Sequence, residues 1–456
     1  MLKYFIGEKN CNPTCPGYHG RTPLHDASYE CRLDVVKYLV MEQQVDPLCH
    51  DEDGMTPLHL SCVNGHLSMV KFLTEEIERY NPIRELVAKS NPLHLAVRFG
   101  HLNIVQFFIS EKNCSPSIPS EYNGRTPLHY AAEAGHLHIV NYLIDEQGCD
   151  PSCLDRNKET PLHCAANNGH LHIVKFLTLE KHCNPTPRTS SGTTPIHEAA
   201  QQGHLDILKF FITDQNCSPS IPNEHGGTPL HYAAETGQLH IMKYLINQQG
   251  CDPSCLDVNG EIPLHFAASE GHLDIVKFLT VEMHCNATAR NLCGTTPIHW
   301  AAQHGHLEVL KYFITDQNCS PHMPGQYGAT PLHFAAEAGQ VQVVEYLISE
   351  QSCDPSCLDL NKRTPLHLAA SEGHLDIVKF LTLEKHCNPN QQTMLNNTPL
   401  HRAAKNGHLH VVQFFVEELT CPPNLKNKHN MTPHQYANAM GHLNVALYLQ
   451  KFEHSS

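Results

Sequence analysis

The chain has 456 residues, of which 17% are charged, and a formal net charge of −15. That excess of negative charge argues against a nucleic-acid partner, because gripping phosphates needs a positive surface. No apolar run is long enough to span a bilayer, and the opening residues, MLKYFIGEKN, carry no signal-peptide core or cleavage site.

In chain order, residues 1–21 come first. Residues 2–13 (LKYFIGEKNCNP) align with LKYFITDQNCSP at 310–321. The chain is therefore expected to open inside the second helix of a truncated repeat. From there the string Thr-Pro-Leu-His, or a close variant, recurs thirteen times. It starts at Thr22, Thr56, Asn91, Thr126, Thr160, Thr194, Thr228, Ile262, Thr296, Thr330, Thr364, Thr398 and Thr432. Ten of the twelve intervals are 34 residues and two are 35. A fixed period in the thirties means a stacked array, not one globular core. One continuous array over 22–453 is expected, followed by a tail at 454–456. The last repeat carries His434 and Gln435 where others have Leu and His, as a polar terminal cap would.

Each repeat predicts two helices. The Thr is placed to cap the first with its hydroxyl, and the Pro fits the first helical position, where a missing N–H costs nothing. A small pair such as Ala131-Ala132 permits close packing. Gly135, Gly169 and their equivalents end that helix in a left-handed conformation. A second helix runs through Leu171, Ile173, Val174, Phe176 and Leu177, a broad apolar face suited to burial on both sides. A Cys-Asp-Pro or Cys-Asn-Pro segment follows, and turns such as Asn123-Gly124 lead to the next Thr. Two positions break the pattern. Cys31 replaces a helix-ending Gly, and Ile262, which has no hydroxyl, replaces the capping Thr. Above the 34-residue period lies a second one of 102. The repeats at Thr126, Thr228 and Thr330 are near copies, as if a block of three had been duplicated in tandem.

The pattern TPLHxAAxxGHLxIVxxL resembles the ankyrin repeat, whose signature is T-P-L-H-x-A, over essentially the whole chain. The resemblance implies an all-α-dominated repeat protein: a curved ankyrin solenoid of helix–turn–helix repeats with hairpin-like loops, binding other proteins. It also implies that the TPLH histidines, His129 and His163 among them, support the loops by hydrogen bonds.

The 37 His and 20 Cys raise the question of metal or redox chemistry. Twelve His belong to the TPLH string and ten more follow the helix-ending Gly, so most mark framework. Pairs such as His136/His138 have a two-residue spacing, whereas zinc pairs on a helix want i, i+4. About half of the Cys precede an Asp-Pro, Asn-Pro or Ser-Pro step or its close variant, where they act as small packing residues. Cys-x-x-x-Cys pairs recur only every third repeat and cannot pool into one site. No phosphate loop and no nucleophile elbow appears. Neither catalysis, nor a cofactor, nor a metal is expected, and free thiols fit a reducing, cytoplasmic setting. Asn-x-Ser/Thr strings at Asn113, Asn216, Asn286, Asn318, Asn396 and Asn430 are expected to go unmodified.

Function should lie where the copies differ. The residue after the TPLH His varies most, and four successive repeats place Tyr232, Phe266, Trp300 and Phe334 there, with Tyr130 earlier in the chain. Two readings stand: side chains that pack between first helices, or an aromatic stripe contacting a partner. Neighbouring Glu235, Glu270 and Glu337 favour a partner segment that is both apolar and basic. The chain reads as a monomeric protein-binding scaffold or adaptor. The alternatives are a regulatory or tethering region of a larger signalling or membrane protein, and a Cys/His metal or redox protein.

Overall fold

The computed structural model describes residues 12–80 and 91–452. Residues 1–11, which hold most of the expected truncated repeat, and the tail at 454–456 lie outside the described residues. The chain forms two compact bodies, 1–224 and 225–456. In each, helix–turn–helix repeats stack in series, and no strand occurs among the described residues.

The first helix of a repeat is set by its opening tetrapeptide. Thr126 has an extended backbone, and Pro127 begins the helix Pro127–Glu133. The Thr126 N–H donates to His129 Nδ1 at 3.2 Å, and the Thr126 hydroxyl lies 2.9 Å from the same nitrogen. This is a capping box in which His takes the place usually held by Glu or Gln. The same box recurs at Thr160, Thr228, Thr296 and Thr364. Asn91 caps differently, accepting from the Leu93 N–H at 2.8 Å. Thr432 is boxed by Gln435, whose Oε1 accepts the Thr432 N–H at 3.0 Å. At the other end of the helix, Gly135 adopts φ 80°, and the His136 N–H donates back to the Ala131 carbonyl at 3.0 Å, closing a Schellman turn.

The second helix supplies the core. Ile173, Val174 and Leu177 are fully buried and Phe176 nearly so. Its last turn widens, with the Lys181 N–H donating five residues back to the Phe176 carbonyl at 3.1 Å. The chain then reverses through a left-handed residue, His182 at φ 53°, and the Cys183 N–H closes onto the Leu177 carbonyl at 2.9 Å. Cys183 and its equivalents are thus buried because they follow the helix-ending turn, where an apolar contact back to the helix is usual. The left-handed residue before the Cys is Asn in several repeats, at Asn113, Asn216 and Asn318; Asn396 and Asn430 hold the same conformation in the loop turns. Asn tolerates that conformation better than most residues, which accounts for the Asn in five of the six Asn-x-Ser/Thr strings. The sixth, Asn286, folds its side chain onto the Thr288 N–H at 2.9 Å.

Neighbouring repeats interlock at three places. First helices pack on one another, Pro297–Gln303 on Pro331–Glu337 for example, through alanines with no exposed surface such as Ala301 and Ala335. The TPLH His reaches across with its other nitrogen: His129 Nε2 lies 3.0 Å from the Glu159 carbonyl and His299 Nε2 2.9 Å from that of Met323. Loop tips join by backbone bonds, as from the Leu292 N–H to the Asn259 carbonyl at 2.8 Å. The loop-supporting role implied by the ankyrin resemblance is therefore present in the geometry. No helix among the described residues is long and apolar enough to cross a membrane.

Candidate functional site

The varying position after the TPLH His lies one residue into the buried edge of each first helix. Its side chains emerge along one face of the stacked first helices. In the C-terminal body, Tyr232, Phe266, Trp300 and Phe334 occupy successive, mutually packed helices and are all half-buried. Tyr130 holds the same position in the N-terminal body. The packing reading captures part of this geometry. The Phe266 ring meets the preceding repeat's His231 edge-on, with centroids 5.4 Å apart, and Phe334 meets His299 at 5.1 Å. Tyr130 tilts against His94 at 5.2 Å. The rings of Tyr130, Phe266 and Phe334 thus pack on framework histidines while remaining half-buried.

Trp300 is held by both a hydrogen bond and a ring stack. Its Nε1–H donates to the Glu261 carboxylate at 3.0 Å, and its ring stacks on His304 with an interplanar angle of 13°. The same Glu261 oxygen accepts from Asn291 Nδ2 at 2.9 Å. Asn291 in turn holds its loop by accepting the Cys293 and Thr295 N–H groups. The indole is thereby fixed in orientation while remaining half-buried. Burial raises the pKa of Glu261, and its bonds from Asn291 and Trp300 oppose that rise. Nothing in the repeat pattern singles out Glu261; only the register of one helix against the preceding loop makes it an anchor.

Glu235 and Glu337 are the last residues of their first helices, and Glu270 immediately follows its own. All three are exposed. A carboxylate at a helix C-terminus faces the negative end of the dipole, so these placements carry a cost. The packed face partly desolvates Glu235 even so, and this together with Glu270 nearby raises its pKa. Glu337 is raised mainly by desolvation, with Arg363 opposing. Cationic groups brought to this edge would relieve both effects.

The histidines and cysteines form contacts of a different kind. Cys255 Sγ lies 3.9 Å from His231 Nδ1 and 3.6 Å from the Thr228 hydroxyl, and the arrangement recurs at Cys153/His129 and Cys357/His333. A nucleophilic dyad needs a thiolate. Burial pushes Cys255 to about 11 and lowers His231, so both are neutral near pH 7. Among the described residues, no three His, Cys, Asp or Glu side chains converge as metal ligands. The His after each helix-ending Gly has a role that spacing alone did not reveal. His170 Nε2 lies 2.9 Å from the Glu133 carbonyl, and His374 Nε2 2.9 Å from that of Glu337. Each satisfies a carbonyl left open at the end of the preceding repeat's first helix. The rule that such carbonyls need partners was the available signal.

The family model for ankyrin repeats (3 copies) matches in overlapping stretches from residue 1 to residue 455. The chain belongs to the ankyrin-repeat family. Ankyrin repeats are generally protein–protein interaction modules, typically without enzymatic activity of their own. No curated protein matches this ankyrin-repeat chain at a significant level.

Proposed function

We propose that the chain is a monomeric, cytoplasmic, non-enzymatic scaffold or adaptor. It binds a protein segment along the first-helix face of the C-terminal body, with the loop tips as secondary contacts. Tyr232, Phe266, Trp300 and Phe334 receive apolar side chains, and Glu235, Glu270 and Glu337 receive basic ones. The observation that carries this reading is Trp300: a large ring held in orientation by Glu261 while only half-buried. Rigid, half-exposed aromatics are the usual anchors of binding hot spots. The three carboxylates at helix ends supply charge complementarity for a basic segment.

Crosslinking and affinity capture from native extract, compared between the wild-type chain and Trp300→Ala, tests the proposal. Crosslinks should concentrate on residues 225–400, and the captured partners should be lost from the variant. Capture of the same partners in the same amounts by both forms would overturn it.

A further inference from the structure

We propose that Arg402, with Arg363 beside it, forms a site for an anionic side chain, carboxylate or phosphoryl, of a protein partner. This deepens the reading above and rests on it only in taking the ligand to be part of a protein.

Arg402 follows His401 on the helix Pro399–Lys405, at the position held by Trp300 and Phe334 in earlier repeats. Side chains there face the residue that precedes the cap of the previous repeat. Trp300 meets Glu261 in that way. In the same register Arg402 meets Arg363, the residue before Thr364, and the two cations repel. Arg363 already has a partner, donating from Nε to Asp359 Oδ2 at 2.6 Å. The other Asp359 oxygen accepts the Asn361 and Arg363 N–H groups at 2.9 and 2.7 Å. Asp359 thus holds Arg363 and its own loop, and it makes no hydrogen bond or ion pair to Arg402.

Arg402 is half-buried, and among the described residues its guanidinium makes no hydrogen bond and no ion pair. Burial and the repulsion by Arg363 lower its pKa, while Tyr436 and Asp359 act in the other direction. A partly desolvated, unpaired cation beside a like charge is costly. Packing does not demand it, because Leu60 and Leu368 fill the equivalent position at 3% exposure. Arg125 shows what this chain does with a guanidinium it holds for structure: Glu133, Asp155 and Glu159 all accept from it, at 2.9, 3.4 and 2.5 Å. Arg402 lacks such a shell, and its fork of donors matches the two oxygens of a carboxylate or phosphoryl group.

Thermal unfolding of the full chain, in chloride, acetate and inorganic phosphate at one ionic strength and pH 7.5, tests the site. The wild-type midpoint should rise in a saturable manner with the bound anion. A response to acetate and phosphate alike indicates an acidic residue as the natural ligand, and a response to phosphate alone indicates a phosphorylated one. Arg402→Leu, which copies the side chain of Leu368, should have a higher midpoint in chloride and no anion response. Arg290→Gln, which alters an arginine bonded to loop carbonyls, should keep the wild-type response. No saturable rise in the wild-type chain, or the same rise in Arg402→Leu, would overturn the proposal. Neither result bears on Trp300, whose loss is read separately by partner capture.

Discussion

Mild acid should loosen the C-terminal body before the N-terminal one. The TPLH histidines are buried as neutral rings. In His265 and His299, Nδ1 accepts the N–H of the capping residue and Nε2 is placed to donate to a loop carbonyl of the next repeat. A proton on Nδ1 would turn that acceptor into a donor facing another donor. Desolvation holds His265, His299, His367 and His401 at about 4 in the C-terminal body and His163 at about 4 in the N-terminal body. The unfolded value is 6.5. These folded pKa values are depressed, so between pH 6.5 and 4 the unfolded chain binds more protons and stability falls as pH falls. From pH 7 to pH 5 each such His removes about 2 kcal/mol. Glu198 acts in the opposite sense. Its folded pKa is raised to about 7, chiefly by burial and then by Glu159, from an ordinary value of 4.5. The folded state therefore binds the extra proton in this window and gains about 2 kcal/mol at pH 5. In the N-terminal body the Glu198 gain offsets the loss at His163, leaving the lowered His25, His94 and His129, while the lowered His231 and His333 add to the loss in the C-terminal body. The C-terminal body faces about 8 kcal/mol from its four histidines, and the raised carboxyls of Glu235, Glu261 and Glu337 oppose part of that loss. What remains is a large part of the 5–15 kcal/mol typical of a folded domain. Urea unfolding at pH 7 and pH 5, followed by hydrogen exchange resolved along the chain, is the assay. Equal midpoints at the two pH values, or loss of protection in residues 12–224 before 225–452, would refute the reasoning.

Further outcomes follow from single positions. Trp300→Ala should weaken binding of the captured partner by about 2 kcal/mol or more, measured by titration, with a smaller change in the urea midpoint. Cys31 stands exposed at φ 57° where other repeats carry Gly. Cys31→Gly should therefore stabilise the first repeat by about 1 kcal/mol, seen as slower exchange across residues 23–37; unchanged exchange would remove the strain argument. Ile262 lacks the capping hydroxyl, yet it is 4% exposed and its N–H still reaches His265 Nδ1 at 3.1 Å. In Ile262→Thr the restored cap contributes about 1 kcal/mol and the lost hydrocarbon costs about the same. The urea midpoint should barely move, and a shift worth more than about 1.5 kcal/mol either way would show one of the two effects to be misjudged.

Much of the fold was legible because each repeat states it locally. The Thr126-Pro127 start, the Ala131-Ala132 pair and Gly135 each impose a backbone condition on one helix, and thirteen near copies make misreading hard. The left-handed strain at Cys31 was legible for the same reason. The histidine after Gly135 was harder to interpret, since the carbonyl that such a residue meets lies 37 residues earlier, across a repeat boundary, as for His170. The aromatic stripe could be placed on one face by counting, but its contacts with the framework could not be read that way. Those contacts depend on His231 and His299 lying under the rings of Phe266 and Phe334. The expected polar cap is only partly polar: Gln435 keeps the capping box, while Leu443 and Leu447 are exposed on the last helix.

One register relation ties the functional proposals together. The residue before the cap of one repeat faces the residue after the TPLH His of the next. Where the pair is Glu261 and Trp300, a hydrogen bond orients an aromatic anchor. Where it is Glu159 and Glu198, two carboxylates meet, and one holds its proton up to about pH 7. Where it is Arg363 and Arg402, two guanidinium groups meet and one stays unpaired. The backbone is nearly the same in all three repeats, so the framework does not dictate these choices. Like charges brought together on a shared scaffold cost stability in the last two cases. At Glu159 the chain's own Arg125 already offsets part of that cost; at Arg402 it is recovered only when an opposite charge arrives from outside, which is the property expected of a surface built to be covered.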